Sequence, residues 1–324
     1  MKSERVMKKN IPVVIFTVIL AIGFTSYHVK SHLKKTTINT DIKYLTKLAE
    51  QGDAKAQTDL GLIYGNGSIQ DYTKAFYWYN KAAQQNYAPA QFNIGLFYEN
   101  GWAGIRDLKL ARDFYYKAAR QGFIDAQVNL GILLIEGKGG DVDYDRARKL
   151  FMVAAESRNP IAMYNLGHLY NYGLGVQRDD VQAAIWYNKA ADLGSMSARN
   201  SLALFYSKGL GNLPVDRKKA LGLLKTSACQ GYSVAQNNLG ILYFDGTNEL
   251  PRDYVKSYAW FSVAFYNGFK EADDSRKKIR GKLTEQDIEK AKNLSAKYIV
   301  KYASVINKDG TDKQCESGNK HSLP

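Results

Sequence analysis

The chain has 324 residues, of which 45% are hydrophobic, and this is enough to bury a substantial core. Its formal net charge of +14 is uneven: residues 1–40 carry a net +6 and residues 270–324 a net +4, while residues 41–269 carry only +4. A protein that binds nucleic acid concentrates Lys and Arg on one face of its folded body, so this distribution argues against a nucleic-acid partner.

The N-terminal segment, residues 1–29, has the pattern of an export signal. A basic start, "MKSERVMKKN", precedes an apolar run at residues 11–24, the order typical of a signal peptide or a signal-anchor. A membrane-spanning helix needs about 20 apolar residues, which the run reaches only through its weaker continuation to residue 29. We favour an uncleaved signal-anchor, with cleavage after Gly23 as the alternative. In both cases the body, which follows a linker at residues 30–43, leaves the cytoplasm.

The body repeats one unit six times. The motif Leu-Gly-x-x-Tyr recurs, intact or slightly changed, with its first residue at Leu60, Ile94, Leu130, Leu166, Leu202 and Leu239. The steps between these positions are 34, 36, 36, 36 and 37 residues. A near-constant period of this length is the signature of a solenoid, in which each unit buries its apolar face against its neighbours.

Each unit is predicted to form a helix, a loop and a second helix. In the fourth copy Ala162, Leu166 and Leu169 follow the spacing of one helix face, and a glycine-rich loop leads to Asp179, which can cap the second helix. The motif glycine costs about 1 kcal/mol relative to alanine inside a helix, so it indicates the close approach of a neighbouring helix. We expect the Ala-Ala pair that ends most second helices to provide that surface.

The composite pattern "AxAQxxLGxxYxxGxGVxxDxxKAxxWYxKAAxxG" resembles the Sel1-like repeat, a relative of the tetratricopeptide repeat (TPR). The fourth copy matches nearly throughout, whereas Leu134 replaces the motif tyrosine and Ala203 the motif glycine in the third and fifth copies. The resemblance implies an all-α fold, a right-handed α-solenoid of about six helix-loop-helix repeats behind an N-terminal transmembrane or signal helix. This solenoid is expected at residues 44–269, with copies at about 54–87, 88–123, 124–159, 160–195, 196–232 and 233–269.

Two segments follow the repeats. Residues 270–305 are similar to the closing helices of many bacterial members of the family, and Thr284 is the expected cap of the last helix. Residues 306–324 are polar, contain glycine and lack periodicity, so we predict that they are disordered.

The sequence offers little for catalysis or for a cofactor. Of the four histidines only His168 lies in the repeats, and we interpret it as a surface or groove residue. No nucleophile elbow or metal-ligand spacing occurs, and the glycine loops lack the Gly-Lys-Ser/Thr ending of a phosphate loop. We therefore predict no enzyme activity, no cofactor and no metal. Some members of the cysteine-rich branch of the family bind or hydrolyse β-lactams, but the cysteine pair that marks each repeat of that branch is missing here.

Two cysteines, Cys229 and Cys315, are too few for a disulfide framework. Cys229 occupies a small-residue position of a predicted helix, which favours a buried free thiol. Cys315 lies in the polar tail, either as an exposed thiol or as a partner for Cys229, and the sequence leaves this open.

One pattern points beyond structure. The residue before the motif leucine is short and polar in every copy, giving a ladder of Asp59, Asn93, Asn129, Asn165, Ser201 and Asn238. In TPR domains the corresponding asparagine commonly hydrogen-bonds a bound peptide backbone on the concave surface, and an amide offers both donor and acceptor. The ladder therefore predicts either a peptide-binding groove or bonds that fix the stacking of helices. Trp102, in a loop, is either a candidate exposed contact or packed on the helix below.

The function expected from this resemblance is a protein–protein interaction scaffold or adaptor in the bacterial cell envelope, with a partner peptide or domain on the concave surface. The alternatives are an immunity-type neutraliser of a secreted effector and a glycan- or peptidoglycan-binding module. We expect a single-pass protein of the inner membrane with its body in the periplasm, or, if the signal is cleaved, a periplasmic or secreted protein. The partner's identity and the oligomeric state stay open.

Overall fold

The computed structural model describes residues 35–66, 70–102, 104, 106–246 and 250–302, with side chains from residue 42 onward. Within these ranges the chain is all-α, with 15 helices and no strand. The expected signal-anchor at residues 1–29 and the expected tail at residues 306–324 lie outside the described residues. No helix in the described ranges has both the length and the hydropathy needed to cross a membrane.

The helices alternate in role along the chain. Helix α1, Lys35–Glu50, comes first and includes residues 35–43 of the expected linker. The first helices of the six repeats are α2 (Ala54–Asn66), α4 (Ala88–Asn100), α6 (Ile124–Glu136), α8 (Pro160–Tyr172), α10 (Met196–Lys208) and α12 (Ser233–Asp245). The second helices are α3 (Tyr72–Gln84), α5 (Leu108–Ala119), α7 (Tyr144–Glu156), α9 (Asp180–Asp192), α11 (Arg217–Cys229) and α13 (Tyr254–Tyr266). Helices α14 (Ala272–Arg280) and α15 (Glu285–Tyr302) close the chain.

The boundaries of these helices follow from capping residues. The predicted cap at Asp179 is confirmed, since its carboxylate accepts hydrogen bonds from the Val181 and Gln182 amides. An aspartate caps the second helix of every repeat, at Asp71, Asp107, Asp143, Asp179, Asp216 and Asp253. Thr284 caps α15 as predicted, because its hydroxyl accepts a hydrogen bond from the Asp287 amide.

The close approach expected at the motif glycine is present, but its partner is an aromatic ring and not the Ala-Ala pair. A Cβ atom on Gly61 would come 2.5 Å from the ring of Tyr79, and one on Gly167 would come 2.6 Å from the ring of Tyr187. Gly95, Gly131 and Gly240 face Tyr115, Phe151 and Phe261 in the same way. The ring excludes even a methyl group, which is why the first helix tolerates a glycine at this position.

The fifth repeat shows the complementary exchange. Ala203 replaces the motif glycine, and the ring position of its second helix holds the smaller Leu224. Both side chains are buried. The larger residue at position 203 is therefore accompanied by a smaller one at position 224, so that the total side-chain volume is nearly conserved.

The described residues form two compact units, which divide after Ser157. In unit 1, Tyr79, Ile94 and Phe97 belong to a core cluster made by the first two repeats. In unit 2 the last repeat is closed by α14 and α15, where the Trp260 ring stacks on the Tyr302 ring with centroids 5.1 Å apart. These closing helices cover apolar surface that a further repeat would otherwise bury.

Cys229 departs from its expected state. It is disulfide-bonded in this structure, so the buried free thiol predicted for it is wrong. Cys315 is outside the described residues.

Candidate functional site

The ladder residues lie on the first helices, three in unit 1 and three in unit 2, and they differ in accessibility. Asn129 and Asn165 are only 6% and 4% exposed. The other four, Asp59, Asn93, Ser201 and Asn238, are half-buried. A partner can therefore reach the outer members of the ladder more readily than the two in the middle.

Part of the hydrogen-bonding capacity of the ladder is used inside the fold. The Nδ2 atoms of Asn93 and Asn165 donate to the carbonyls of Pro89 and Ile161, at 2.8 and 2.9 Å, one turn earlier on their own helices. Asp59 pairs with Lys55 at 2.8 Å. These bonds orient the side chains. In the two asparagines the side-chain oxygens are not used by these bonds and can still accept a hydrogen bond.

Tyrosine hydroxyls from the second helices meet the ladder in the third and fifth repeats. The Tyr115 hydroxyl donates to Oε2 of Glu99 at 2.6 Å, and the Asn129 side chain lies beside it. Ser201 lies beside the hydroxyls of Tyr187 and Tyr164. Burial raises the pKa of Tyr115 well above its usual value, and burial also raises the pKa of the Glu99 carboxyl. Asn129 and Ser201 thus lie where the first helix of their own repeat meets the second helix of the repeat before it.

The face beside the ladder differs between the two units. In the second and third repeats of unit 1 it is closed by the buried apolar side chains of Phe92, Leu96, Val128 and Ile132, whereas the first repeat has the buried Thr58 and the half-buried Leu62. At the corresponding positions the fourth and fifth repeats have half-buried side chains of mixed chemistry. We call this surface the open face of unit 2, and it consists of Tyr164, His168, Asn200, Ser201, Leu204 and Asn238.

Hydrogen bonds and ring contacts organise the open face. Asn238 Nδ2 donates to Oδ1 of Asn200 at 2.9 Å, which links α12 to α10. On α8 the His168 ring lies between aromatic neighbours, with its centroid 4.6 Å from that of Tyr172 and 6.4 Å from that of Tyr164. Tyr172 is 48% exposed. The face thus combines accessible rings with amide and hydroxyl groups.

His168 is neutral at pH 7. Burial lowers its pKa to about 4, and its Nδ1 atom is buried without a hydrogen-bond partner. The corresponding residues of the other five repeats are Leu62, Leu96, Ile132, Leu204 and Ile241. His168 is therefore a half-buried, uncharged replacement for an aliphatic residue.

Trp102 packs on its neighbours. Its ring stacks on Tyr72 with centroids 5.7 Å apart and meets the Phe97 ring edge-on at 5.4 Å. The side chain is half-buried. The packing alternative is therefore the one that the structure has, and Trp102 is not a freely exposed contact.

Sequence reasoning missed a second polar row, the buried glutamines of the "AxAQ" start. Gln85 donates to Oε1 of Gln57 at 2.8 Å, and Gln121 donates to Oε1 of Gln91 at 2.7 Å. Asn267 does the same for Gln236 at 3.0 Å, and in the fifth repeat Arg199 donates to Gln230 at 2.6 Å. The sequence contains a signal for this row, because the same glutamine recurs in the "AxAQ" start of four repeats. A glutamine that is buried at such a position needs a hydrogen-bond partner.

This row changes in the middle of the chain. Gln127 is buried, but its Oε1 atom has no hydrogen-bond partner, and the position that would supply the donor holds Ser157. In the fourth repeat both positions are apolar, with Met163 and Leu193. In five of the six repeats the two positions therefore match, either as a hydrogen-bond donor with an acceptor or as two apolar side chains. The third repeat, with Gln127 and Ser157, is the exception.

Among the described residues, no group of three or more His, Cys, Asp or Glu side chains is arranged to hold a metal ion. The half-buried Glu99 is the acceptor of the Tyr115 hydroxyl. The side chains of the ladder and of the open face are mainly amides, hydroxyls and rings, which suit the recognition of a partner.

Comparison with known proteins gives a consistent result for the fold. The Sel1 repeat model matches residues 54–87, 88–123, 124–159, 160–195, 197–232 and 233–269. The chain is similar to a Sel1 repeat protein from Oxalobacter formigenes, with 32% identity, a TM-score of 0.66, and coverage of 71% of this chain and 93% of the other.

A protective antigen of uropathogenic Escherichia coli with an SLR fold is 23% identical, with a TM-score of 0.50 and coverage of 86% of this chain and 99% of the other. An immunity protein from Pseudomonas aeruginosa is 18% identical, with a TM-score of 0.41 and coverage of 74% and 82%, which is too distant to support a functional argument. No protein of curated function matches the sequence.

Proposed function

Since the chain belongs to the Sel1 repeat family, whose repeats imply a scaffold for protein–protein interaction, we propose that it binds a protein partner through the open face of unit 2. The observation that carries this proposal is the contrast between the two units. The positions two residues before and two residues after the motif leucine are buried and apolar in the second and third repeats, but half-buried and partly polar in the fourth and fifth repeats. A surface that a fold leaves open, while closing its equivalents elsewhere, is where a partner can bury further area.

The chemistry of the open face suits an extended peptide segment. Asn200 and Asn238 offer amide donors and acceptors to a peptide backbone, while Tyr164 and Leu204 offer apolar area to its side chains. The face is preformed, because the Asn238–Asn200 bond and the His168–Tyr172 contact already fix the side chains. Preformed side chains lose less conformational entropy on binding.

We place this scaffold in the bacterial cell envelope, with the N-terminal segment as a membrane anchor or export signal. The basic start and apolar run of the sequence support that placement. Within this proposal the partner is an envelope protein. Neutralisation of a secreted effector is the same binding mode with a different partner.

The test is crosslinking affinity purification from intact envelopes. Asn200→Ala combined with Asn238→Ala removes the amide pair of the open face. The matched control is Asp59→Ala combined with Asn93→Ala, which removes two half-buried ladder residues of unit 1. We expect a partner that is captured by the wild type and by the control but lost from the Asn200/Asn238 variant, with unchanged circular dichroism. A partner that survives in the Asn200/Asn238 variant and is lost from the control would move the binding surface to unit 1.

A second experiment separates peptide binding from a glycan role. Purified protein is mixed with isolated peptidoglycan, and the bound fraction is measured for the wild type and for Tyr172→Ala, which removes the most exposed ring beside the open face. Binding to peptidoglycan that depends on Tyr172 would favour the glycan-binding alternative.

A further inference from the structure

The end of α13 and the short helix α14 form a surface that combines exposed rings with cations. Phe265 and Tyr266, which end α13, are 40% and 65% exposed. Residues 265–282 contain six Lys or Arg and three Asp or Glu, a net charge of +3. We call this surface the aromatic–cationic patch, and it consists of Phe265, Tyr266, Lys270, Lys277, Lys278 and Lys282.

The fold holds the patch in place. Helix α14 buries Ala272 and Ile279 in a core cluster with Phe261 and Ala264. Lys277 and Lys278 are exposed on the remaining surface of α14. The Arg276 guanidinium lies 5.0 Å from the centroid of the Phe265 ring, which connects the cations of α14 to the rings of α13.

Most of the positive charge on the patch is uncompensated. Asp273 pairs with both Arg276 and Lys277. Lys270, Lys278 and Lys282 form no ion pair with any residue that the structure describes. The segment that follows the two water-exposed rings thus carries a net positive charge of +3.

We propose that the aromatic–cationic patch docks on the surface of an anionic lipid bilayer. Tyr and Phe rings with an exposed edge are suited to the boundary between headgroups and acyl chains. Lysines extend their aliphatic stems along apolar surface and place their ammonium groups among anionic headgroups. The unit that carries the proposed partner-binding face would then have its last repeat held against the membrane.

The residue types favour a bilayer over an acidic protein. Protein interfaces are enriched in Arg and depleted in Lys, because a lysine is costly to fix in one geometry. Four of the five exposed cations in residues 265–282 are lysines and the fifth is Arg280, whereas the half-buried Arg276 is engaged with Asp273 and Phe265. Attraction to a charged lipid surface needs no fixed geometry, so flexible lysines serve it well.

The experiment measures the reactivity of individual lysines. The total amount of bound protein is not informative, because the apolar run at residues 11–24 can itself associate with lipid. The full chain is reconstituted in vesicles of phosphatidylcholine, with or without about one third phosphatidylglycerol, and treated briefly with an acetylating reagent. Acetylation of Lys270, Lys277, Lys278 and Lys282 is measured by mass spectrometry. The exposed Lys109 and Lys149 of unit 1 are the internal controls.

We expect the patch lysines to be acetylated about threefold or more slowly in the anionic vesicles, with unchanged rates at Lys109 and Lys149. Equal rates in both kinds of vesicle, or equal slowing at the control lysines, would overturn the proposal. Glycerol phosphate and polyglutamate, each tested in phosphatidylcholine vesicles, separate a bilayer from a free anion and from an acidic polypeptide. Slowing by either one to the level seen with anionic vesicles would also overturn it.

Two variants complete the test. Lys277→Glu with Lys278→Glu should abolish the slowing at Lys270 and Lys282, and Phe265→Ser with Tyr266→Ser should reduce it. Slowing that persists at full strength in both variants contradicts the proposal. Because α14 is short, thermal unfolding is recorded for each variant, and Lys277→Gln with Lys278→Gln replaces the charge reversal if that variant is unfolded.

Discussion

The Tyr115 ring lies so close to Gly95 that a Cβ atom on this glycine would be 2.5 Å from the ring. The ring is fully buried, and its hydroxyl is held by Glu99. It therefore has little freedom to move aside. The same relationship recurs at four other motif glycines, Gly61, Gly131, Gly167 and Gly240, and it explains by side-chain volume why this helical position holds a glycine.

Gly95→Ala is accordingly expected to destabilise the protein by about 1–3 kcal/mol. The added methyl group overpacks the core, and this cost exceeds the gain in helix propensity. Gly222→Ala is the matched control. Gly222 is also inside a helix, and a Cβ there would meet nothing within 4 Å, so this change should stabilise by up to about 1 kcal/mol. Chemical denaturation of both variants measures the difference.

The fifth repeat combines Ala203, in place of the motif glycine, with Leu224, in place of the larger ring. This predicts that substitutions at the equivalent positions of the second repeat, Gly95 and Tyr115, have coupled effects on stability. In a Tyr115→Leu background, the further change Gly95→Ala should destabilise by less than it does in the wild type. A double-mutant cycle measures this coupling, which is expected at about 1 kcal/mol or more. Additive effects would contradict the packing explanation.

Ser157→Gln should stabilise unit 1. The new amide can donate to the unpartnered Oε1 atom of Gln127, as Gln121 donates to Gln91. Satisfying a buried acceptor stabilises by about 1 kcal/mol. Leu193→Gln provides the contrast, because its counterpart Met163 offers an apolar side chain, and no gain is expected. Equal shifts in the two unfolding midpoints would argue against this pairing.

His168 should make the protein sensitive to mild acid. Its folded pKa of about 4 lies below the unfolded value near 6.5, so the unfolded chain binds a proton first as the pH falls. Stability that is present above about pH 6.5 is therefore lost progressively down to about pH 4, by up to about 3 kcal/mol. His168→Leu, the residue of three other repeats, should remove this part of the pH dependence, measured as unfolding free energy from pH 7 to 4.

Glu99 should change the pH dependence of stability in the direction opposite to His168. Burial raises the pKa of its carboxyl in the folded state, so the folded chain holds the proton more tightly, and stability falls as the pH rises through the window above the unfolded value near 4.3. Glu99→Gln keeps an oxygen that can accept from Tyr115 but carries no charge. We expect this variant to melt higher than the wild type at pH 7, with the gap closing in acid. A lower melting temperature at pH 7 would show that the charge itself is stabilising.

The repeats, their helix-loop-helix form and the aspartate cap of the second helix could be read from the sequence. All three depend on spacing within about 36 residues, and local patterns of apolar residues, glycines and capping side chains determine them directly. The same holds for family membership. The positions of the ladder could also be read from the sequence, but nothing in it distinguishes Asn165, which is buried, from Asn238, which is half-buried.

The tertiary structure decided what lies against each helix. The sequence led us to place the Ala-Ala pair against the motif glycine, whereas the ring of Tyr115 and its equivalents occupy that space. The tertiary structure also shows that Gln57 and Gln91 accept hydrogen bonds from side chains at the end of the neighbouring helix. It shows as well that the face beside the ladder is buried at Leu96 but half-buried at Leu204. The physical reason is that these outcomes depend on how closely side chains from different helices meet, and a one-dimensional pattern does not contain that distance.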